Sequence, residues 1–273
     1  MISLRSHILK GQKPMKFRPC IDIHQGKVKQ IIGSTLSGSG AAENFVSSKK
    51  SAYYARLFRQ DQLTGGHIIL LDQSKETRWA AEEALKAYPG GMQIGGGITG
   101  ENCEIYLNFG ASHVIVTSFI FSYGIINFDN LKLLCKKCGR ERIVLDLSCK
   151  TAGDGKYWIA TDRWQRLTDT ELCGETLCSL ASYCDEFLVH AVNAEGKMAG
   201  IDSRLAALLS RSPIPVTYAG GITSIDDISK INRLGAGRVD FTVGSALDLF
   251  GGPIKYEEIK KYNDLHTDTK PCN

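Results

Sequence analysis

Two glycine-rich turns carry the clearest chemical signal in this sequence. The stretch "GGGIT" at 95–99 recurs as "AGGIT" at 219–223, so that 124 residues separate Gly96 from Gly220. Glycine lets backbone amides approach a ligand oxygen closely, and the start of the following helix adds the positive end of its dipole. A second turn of small residues follows in each copy. We therefore predict two equivalent phosphate-binding sites, one made by Gly96, Gly97 and Ser118 and the other by Gly220, Gly221, Gly244 and Ser245.

Two aspartates repeat at the same spacing. Asp22 stands in "CIDI" and Asp146 in "VLDL", again 124 residues apart. A carboxylate at the end of an otherwise apolar strand is costly to bury unless it has a task. A hydrogen-bond bracket to a loop is the alternative for either aspartate alone. Their symmetry favours a shared ligand with a phosphate at each end.

The first glycine stretch also fits a dinucleotide-binding turn. Gly95, Gly97 and Gly100 match the G-x-G-x-x-G spacing. That motif needs an acidic residue at the end of the next strand, but "HVIVTS" at 113–118 ends in hydroxyls. The second copy of the glycines favours paired phosphate sites instead. Tight strand-to-helix turns without a ligand remain the alternative.

Apolar, β-branched runs alternate with segments of helical period along the whole chain. The predicted strands are 17–23, 67–71, 92–94, 113–118, 142–147, 186–192, 214–219 and 238–243. Predicted helices lie near 50–60, 76–87, 101–109, 127–138, 174–183, 202–209 and 224–233, with a last one after Pro253. A long loop rich in glycine and serine is predicted over 33–47, and a long loop or hairpin with "GDG" as its turn is predicted over 148–164.

Eight such units in this length, duplicated as two halves, favour a closed (β/α)8 TIM barrel over an open doubly wound sheet. We predict that this single α/β domain, built from two (β/α)4 halves, spans residues 15–265. Residues 1–14 would be an N-terminal extension and residues 266–273 a flexible tail. Barrels place their chemistry on loops at the carboxyl ends of the strands.

Composition limits the partners. The net charge of +4 is mild and its basic residues are scattered, so nucleic acid is not expected, and no apolar run is long enough to span a membrane. Nine cysteines at irregular spacings indicate reduced thiols rather than a disulfide framework. Cys135 and Cys138 form a C-x-x-C, but no second pair follows at metal-ligand spacing, so no metal is predicted.

At this point the chain resembles a known family, the phosphoribosylformimino-5-aminoimidazole carboxamide ribotide isomerases of histidine biosynthesis. It is most similar to the branch found in fungi, plants and some bacteria. The resemblance covers about Lys16 to Tyr262 and is carried by "RPCIDIHQGKVKQIIG", "YPGGMQIGGGI", "RIVLDLSCK", "TDRWQ", "DEFLVHAVNAEGK", "IPVTYAGGIT" and "VDFTVGSALDLFGG".

The resemblance implies an Amadori rearrangement that turns a bis-phosphorylated aminoaldose into an aminoketose, with neither metal nor cofactor. An acid opens the ribose ring, and a base takes the proton from the neighbouring carbon. Asp22 would be the base, and Asp146 would orient or stabilise the substrate. Glu195 falls on the family's acidic residue after the sixth strand, whereas Asn193 departs from relatives that carry Asp there.

Further candidates surround these residues. His24 and His190 could line the mouth, and Arg163 could reach a phosphate or carboxamide. Trp158 and Trp164 could cover the substrate as a lid, although packing of their loop on itself is equally consistent with the sequence.

Two other functions remain open at this stage. One is the cyclase subunit of imidazole glycerol phosphate synthase, which shares the duplication and the paired aspartates. The other is a phosphometabolite-binding barrel without catalysis, which Asn193 keeps open. We expect a cytoplasmic monomer, or a plastid protein if the first fourteen residues are the remnant of a transit peptide.

Overall fold

A computed structural model of the protein describes residues 15–31, 43–194 and 200–264. The segments predicted as an N-terminal extension (1–14) and a tail (266–273) lie outside this part of the chain. Glu195 also lies outside it. Eight parallel strands form one curled sheet. They are β1 (Cys20–His24), β2 (Gly66–Leu70), β3 (Met92–Gly95), β4 (Val114–Val116), β5 (Ile143–Asp146), β6 (Glu186–His190), β7 (Val216–Ala219) and β8 (Val239–Phe241).

Helices alternate with these strands, as the sequence predicts. They are α1 (Ser51–Gln60), α2 (Lys75–Ala87), α3 (Cys103–Asn108), α4 (Phe128–Cys138), α5 (Gly174–Leu180), α6 (Ser203–Leu209), α7 (Ile225–Leu234), α8 (Tyr256–Ile259) and α9 (Lys261–Asp264). Side-chain caps set several of their starts. Ser74, Asp202 and Ser224 each accept a hydrogen bond from the backbone amide three residues later.

The strands pair in chain order from β1 to β8, and the sheet closes on itself. Closure lies just before β1, where the amide of Arg18 donates to the carbonyl of Phe241 at 2.8 Å and Phe17 bridges the same residue in parallel. The predicted (β/α)8 barrel is confirmed. Its interior holds a small apolar cluster of Ile69, Ile115, Val144, Leu188 and Ala219.

The amino-terminal end of the barrel interior holds a polar layer. Glu186 accepts hydrogen bonds from Gln93 at 3.0 Å and from Thr217 at 2.8 Å. The Arg18 guanidinium lies 3.6 Å from Glu186 and 2.7 Å from Asp240. Because each buried charge faces an opposite charge or a donor, this layer satisfies groups that would otherwise be costly to bury.

The segment after β1 differs from its prediction. Lys27–Ile31 and Glu43–Val46 are antiparallel strands, so the loop predicted over 33–47 is wrong for Glu43–Val46. Gln25 and Gly26 both have positive φ, at 50° and 73°. Such a turn matches the twist of a tight hairpin, and it turns the chain from β1 into the next strand.

The loop after β5 folds as a hairpin, as predicted, and continues into a third strand. Cys149–Thr151 pairs with Tyr157–Thr161, which in turn pairs with Arg166–Glu171. Both large insertions thus leave the barrel at the carboxyl ends of β1 and β5, where the two aspartates lie.

Candidate active site

The two repeated aspartates open into one cavity at the carboxyl-terminal mouth of the barrel. Asp22 lies on β1 and Asp146 is the last residue of β5, four strands away around the barrel. Both line a cavity of about 540 Å³. A closed barrel brings together side chains that are far apart in sequence. Here the two carboxylates line the same cavity.

Asp146 is a heavily hydrogen-bonded carboxylate. Its Oδ1 accepts from the Ser148 amide at 2.9 Å and from the Ser148 hydroxyl at 2.5 Å, and its Oδ2 accepts from Thr117 at 3.3 Å. His190 Nδ1 lies 3.6 Å from Oδ1. Burial raises the pKa of Asp146, but His190 and Ser148 outweigh burial and leave the pKa lower than its usual value. Asp146 is therefore ionised at neutral pH.

The paired glycines adopt the same conformation in both halves. Gly96 and Gly220 have φ of 96° and 103°, and Gly97 and Gly221 have φ of 73° and 76°. A Cβ on Gly96 would lie 2.1 Å from the Leu70 carbonyl oxygen. Only glycine fits such a turn, so part of the glycine requirement is steric and holds whether or not a ligand binds.

The two sets of predicted phosphate ligands line two adjoining cavities. Gly96, Gly97 and Ser118 line the large cavity, whereas Gly220, Gly221, Gly244 and Ser245 line a smaller one of about 50 Å³. Asp22 and His190 line both cavities. The predicted base therefore lies between the two glycine turns, as a ligand with a phosphate at each end requires.

His190, an open candidate from the sequence, lies at the centre of this arrangement. Its Nδ1 is 3.0 Å from the Ser148 hydroxyl, and its ring centroid is 5.4 Å from that of Trp164. His24 faces elsewhere, with Nδ1 at 3.4 Å from the Lys29 ammonium and Nε2 at 3.9 Å from Asp72. His24 is not among the described residues that line either cavity.

The segment "DRW" at 162–164 covers the large cavity with a strained backbone. Asp162, Arg163 and Trp164 have φ of 53°, 57° and 64°, a left-handed conformation that costs about 1–2 kcal/mol per residue. Lys150 Nζ donates to the Trp164 carbonyl at 2.5 Å, and the Asp162 amide donates to Ser118 Oγ at 3.1 Å. Strain of this kind concentrates at functional sites.

Trp158, in contrast, lies within a strand opposite Lys150 and Glu171. Arg163 and Trp164 are among the described residues that line the large cavity, and Trp158 is not. Asn193 has a structural contact, since its Oδ1 accepts from the Thr151 amide at 3.1 Å.

Two side chains of the site were not found from the sequence. Gln30, from the strand after β1, donates from Nε2 to Asp22 Oδ2 at 3.1 Å. His67, on β2, is buried beneath the mouth, with its ring centroid 6.4 Å from that of His190. A histidine inside the apolar run "HIILL" is a signal that could have identified His67.

The C-x-x-C thiols have separate surroundings on α4. Cys135 Sγ lies 3.4 Å from the Tyr183 carbonyl, while Cys138 is next to Cys103, and burial raises its pKa to about 12. Within the described ranges, no cluster of three or more histidine, cysteine or acidic side chains could hold a metal ion. No helix in those ranges combines the length and apolarity needed to cross a membrane.

Comparison with known proteins agrees with this geometry. Residues 16–253 match the histidine biosynthesis protein family. The chain is 52% identical over 260 residues to the chloroplastic 1-(5-phosphoribosyl)-5-((5-phosphoribosylamino)methylideneamino)imidazole-4-carboxamide isomerase of Medicago truncatula, covering 93% of this chain and 83% of that one. Isomerases of the same name from Neurospora crassa and Saccharomyces cerevisiae are 44% and 42% identical, each covering 91% of this chain and 98% of the relative. The chain belongs to the histidine biosynthesis protein family.

Proposed function

We propose that this protein is the aldose–ketose isomerase of histidine biosynthesis. It would convert phosphoribosylformimino-AICAR ribotide, which carries two phosphates, into its phosphoribulosyl form by an Amadori rearrangement. The observation that carries the proposal is the position of Asp22 between two glycine turns of equal conformation, opposite Asp146. The isomerase name of the relatives that cover nine tenths of the chain supports it. None of those relatives is named as a cyclase or as a binding protein without catalysis, so neither alternative has support.

In this proposal the substrate spans both cavities. One phosphate binds the turn of Gly96 and Gly97 with Ser118, and the other binds the turn of Gly220 and Gly221 with the nearby Gly244 and Ser245. Backbone amides at such turns bind phosphate oxygens without requiring a charged side chain. The reacting ribose carbons then lie near Asp22, where the two cavities meet.

The chemistry needs a proton donor and a proton acceptor. Asp22 takes the proton from the carbon next to the Schiff base, and a proton delivered to the ring oxygen opens the ribose. Asp146, held ionised by Ser148 and His190, suits the stabilisation of positive charge on the substrate nitrogen rather than proton donation. We assign the acid to Glu195, as the family resemblance implies.

Trp164 and Arg163 complete the proposal. Trp164 lies against His190 and could cover the bound substrate, which would exclude water from the Schiff-base intermediate. In this proposal Arg163, which is exposed and lines the large cavity, meets the phosphate or carboxamide of the substrate. No metal or cofactor enters this scheme.

The test is an isomerase assay on the purified protein, with Asp22→Asn as the decisive variant. We expect turnover of the aminoaldose by the wild type and a loss of at least about 10³-fold in kcat for the variant, since its general base is gone. Asp129→Asn is the matched control, because the Asp129 side chain is 94% exposed on α4. Unimpaired turnover by Asp22→Asn would refute the mechanism, and failure to complement a histidine-requiring strain would refute the function.

We also propose that the protein acts as a monomer with the small-molecule substrate as its partner, which size-exclusion chromatography with light scattering can test. We propose that the protein is located in the cytoplasm or in a plastid. The Medicago relative is named chloroplastic, whereas the names of the two fungal relatives carry no compartment. Imaging of a fluorescent fusion would distinguish the two.

A further inference from the structure

Gln30 joins the predicted base to the second phosphate turn. It lies on the strand Lys27–Ile31, is 4% exposed, and donates from Nε2 to Asp22 Oδ2 at 3.1 Å. We propose that Gln30 is a positioning residue that holds the Asp22 carboxylate in the orientation needed for proton abstraction. This inference rests on the proposed function, in which Asp22 is the base.

The other end of the Gln30 amide faces Gly244. A Cβ on Gly244 would lie 2.6 Å from Gln30 Oε1, while its φ lies outside the left-handed range. The backbone therefore does not require glycine at this position. The requirement comes from the glutamine side chain, which needs the space. Gly244 also lines the smaller cavity, so one buried side chain contacts both the base and the predicted phosphate site.

Comparison of the two halves shows that this contact belongs to Asp22 alone. Thr117 follows β4 and donates to Asp146. Thr242 follows β8 at the equivalent place, next to Asp22 on the closed barrel, yet its buried hydroxyl has no hydrogen-bond partner among the described residues. Asp154, 124 residues after Gln30, lies in an exposed turn. Gln30 thus has no counterpart at Asp146, and the two carboxylates are held by different means.

The chemistry of the amide suits a base. The donor is uncharged, so it fixes one carboxylate oxygen of Asp22 without adding a positive charge next to it. Among the described residues, seven titratable or charged groups share a cavity with Asp22: Cys20, His67, Asp72, Asp146, Asp162, Arg163 and His190. A carboxylate introduced at position 30 would add a further titratable group in contact with Asp22.

Two substitutions at position 30 separate positioning from packing. Gln30→Met keeps the volume and removes the donor, and we expect kcat to fall about 10- to 100-fold with KM changed less than about threefold. Gln30→Glu places a second carboxylate next to Asp22. Like charges raise the apparent pKa of such a pair, so the acid limb of kcat/KM against pH should move up by one unit or more. A structural role alone would not move that limb.

A double-mutant cycle tests the link to Gly244 independently. Gly244→Ala should lower kcat by displacing Gln30, and the same change in a Gln30→Ala background should cost at least about threefold less. Equal costs in both backgrounds would overturn the link. A kcat within twofold of wild type for Gln30→Met, a KM rise that accounts for its whole defect, or an unmoved acid limb for Gln30→Glu would overturn the positioning role.

The same measurements keep this inference apart from the proposed function. An inactive wild-type protein, or an active Asp22→Asn variant, would refute the isomerase or its base and would remove the basis for a role of Gln30. An active wild type that depends on Asp22 but not on Gln30 would refute only the positioning role. Thermal unfolding and circular dichroism of each variant establish that it is folded before its kinetics are compared.

Discussion

Lowering the pH from 7 to 5 should destabilise this protein through His67. The imidazole is buried inside the barrel, and burial, with the nearby His190 and Arg18, lowers its pKa to about 3 against the attraction of Asp146. The unfolded chain has the ordinary value of 6.5. Below pH 6.5 the unfolded state therefore binds a proton that the folded state excludes, and stability present above pH 6.5 is lost as the pH falls.

The size of the effect follows from these two values. At pH 5 the unfolded histidine is almost fully protonated while His67 in the barrel is not, which lowers the free energy of unfolding by about 2 kcal/mol relative to pH 7. Any folded pKa below about 4 gives nearly the same loss, because the unfolded chain dominates the proton uptake in this range.

Urea unfolding at pH 7, 6 and 5, followed by circular dichroism, measures this loss. His67→Gln should lose about 2 kcal/mol less than the wild type over the same range, since glutamine cannot take up the proton. The comparison uses the difference between two pH values, so a change in overall stability caused by the substitution cancels. Equal losses in wild type and His67→Gln would refute the reasoning.

Two further predictions concern the turns and the polar layer of the barrel. Gly221→Ala and Gly90→Ala both force a side chain into φ near +70°, but a Cβ at Gly221 meets a backbone oxygen at 2.3 Å and one at Gly90 meets nothing within 4 Å. Gly90→Ala should therefore lower the free energy of unfolding, measured in urea, by about 1–2 kcal/mol, and Gly221→Ala should lower it by about 1–3 kcal/mol more. Gly90→Ala should leave KM unchanged. Glu186→Met should lower the free energy of unfolding by about 3 kcal/mol, because the buried Arg18 loses one of its two carboxylate partners. Glu171→Met, in the strand Arg166–Glu171 of the insertion after β5, should change it little. Similar stability losses for the two members of either pair would contradict the corresponding prediction.

The parts of the site that the sequence predicts are those that depend on backbone position. Asp22, Asp146 and the glycine pairs repeat at one spacing, and a barrel of equal halves places equal positions at equal places around the mouth. Gln30 could not be found in this way, because its role depends on a hairpin turn at Gln25 and Gly26 that determines which side chains of the next strand face inward.

Contacts between side chains on separate loops are equally beyond the pattern of the sequence. The position of Trp164 against His190 depends on three consecutive residues in the left-handed conformation, which no residue in "DRW" prefers. His67 combines a predictable strand with an unpredictable environment. The strand places it in the barrel, but its pKa depends on groups contributed by other strands.

The duplicated barrel thus holds two equivalent aspartates in unequal surroundings, and this inequality decides what each can do. Asp146 receives hydroxyl and amide donors from Ser148 and a contact from His190, and these keep it ionised despite burial. In the proposed reaction such a carboxylate suits the stabilisation of positive charge rather than the donation of a proton to the ribose ring. Asp22 is the proton acceptor in this proposal, so it is not the initial proton donor. In the proposed reaction a third group supplies the proton, and the family resemblance assigns that role to Glu195. This assignment is the reason to test Glu195→Gln beside Asp22→Asn and Asp146→Asn.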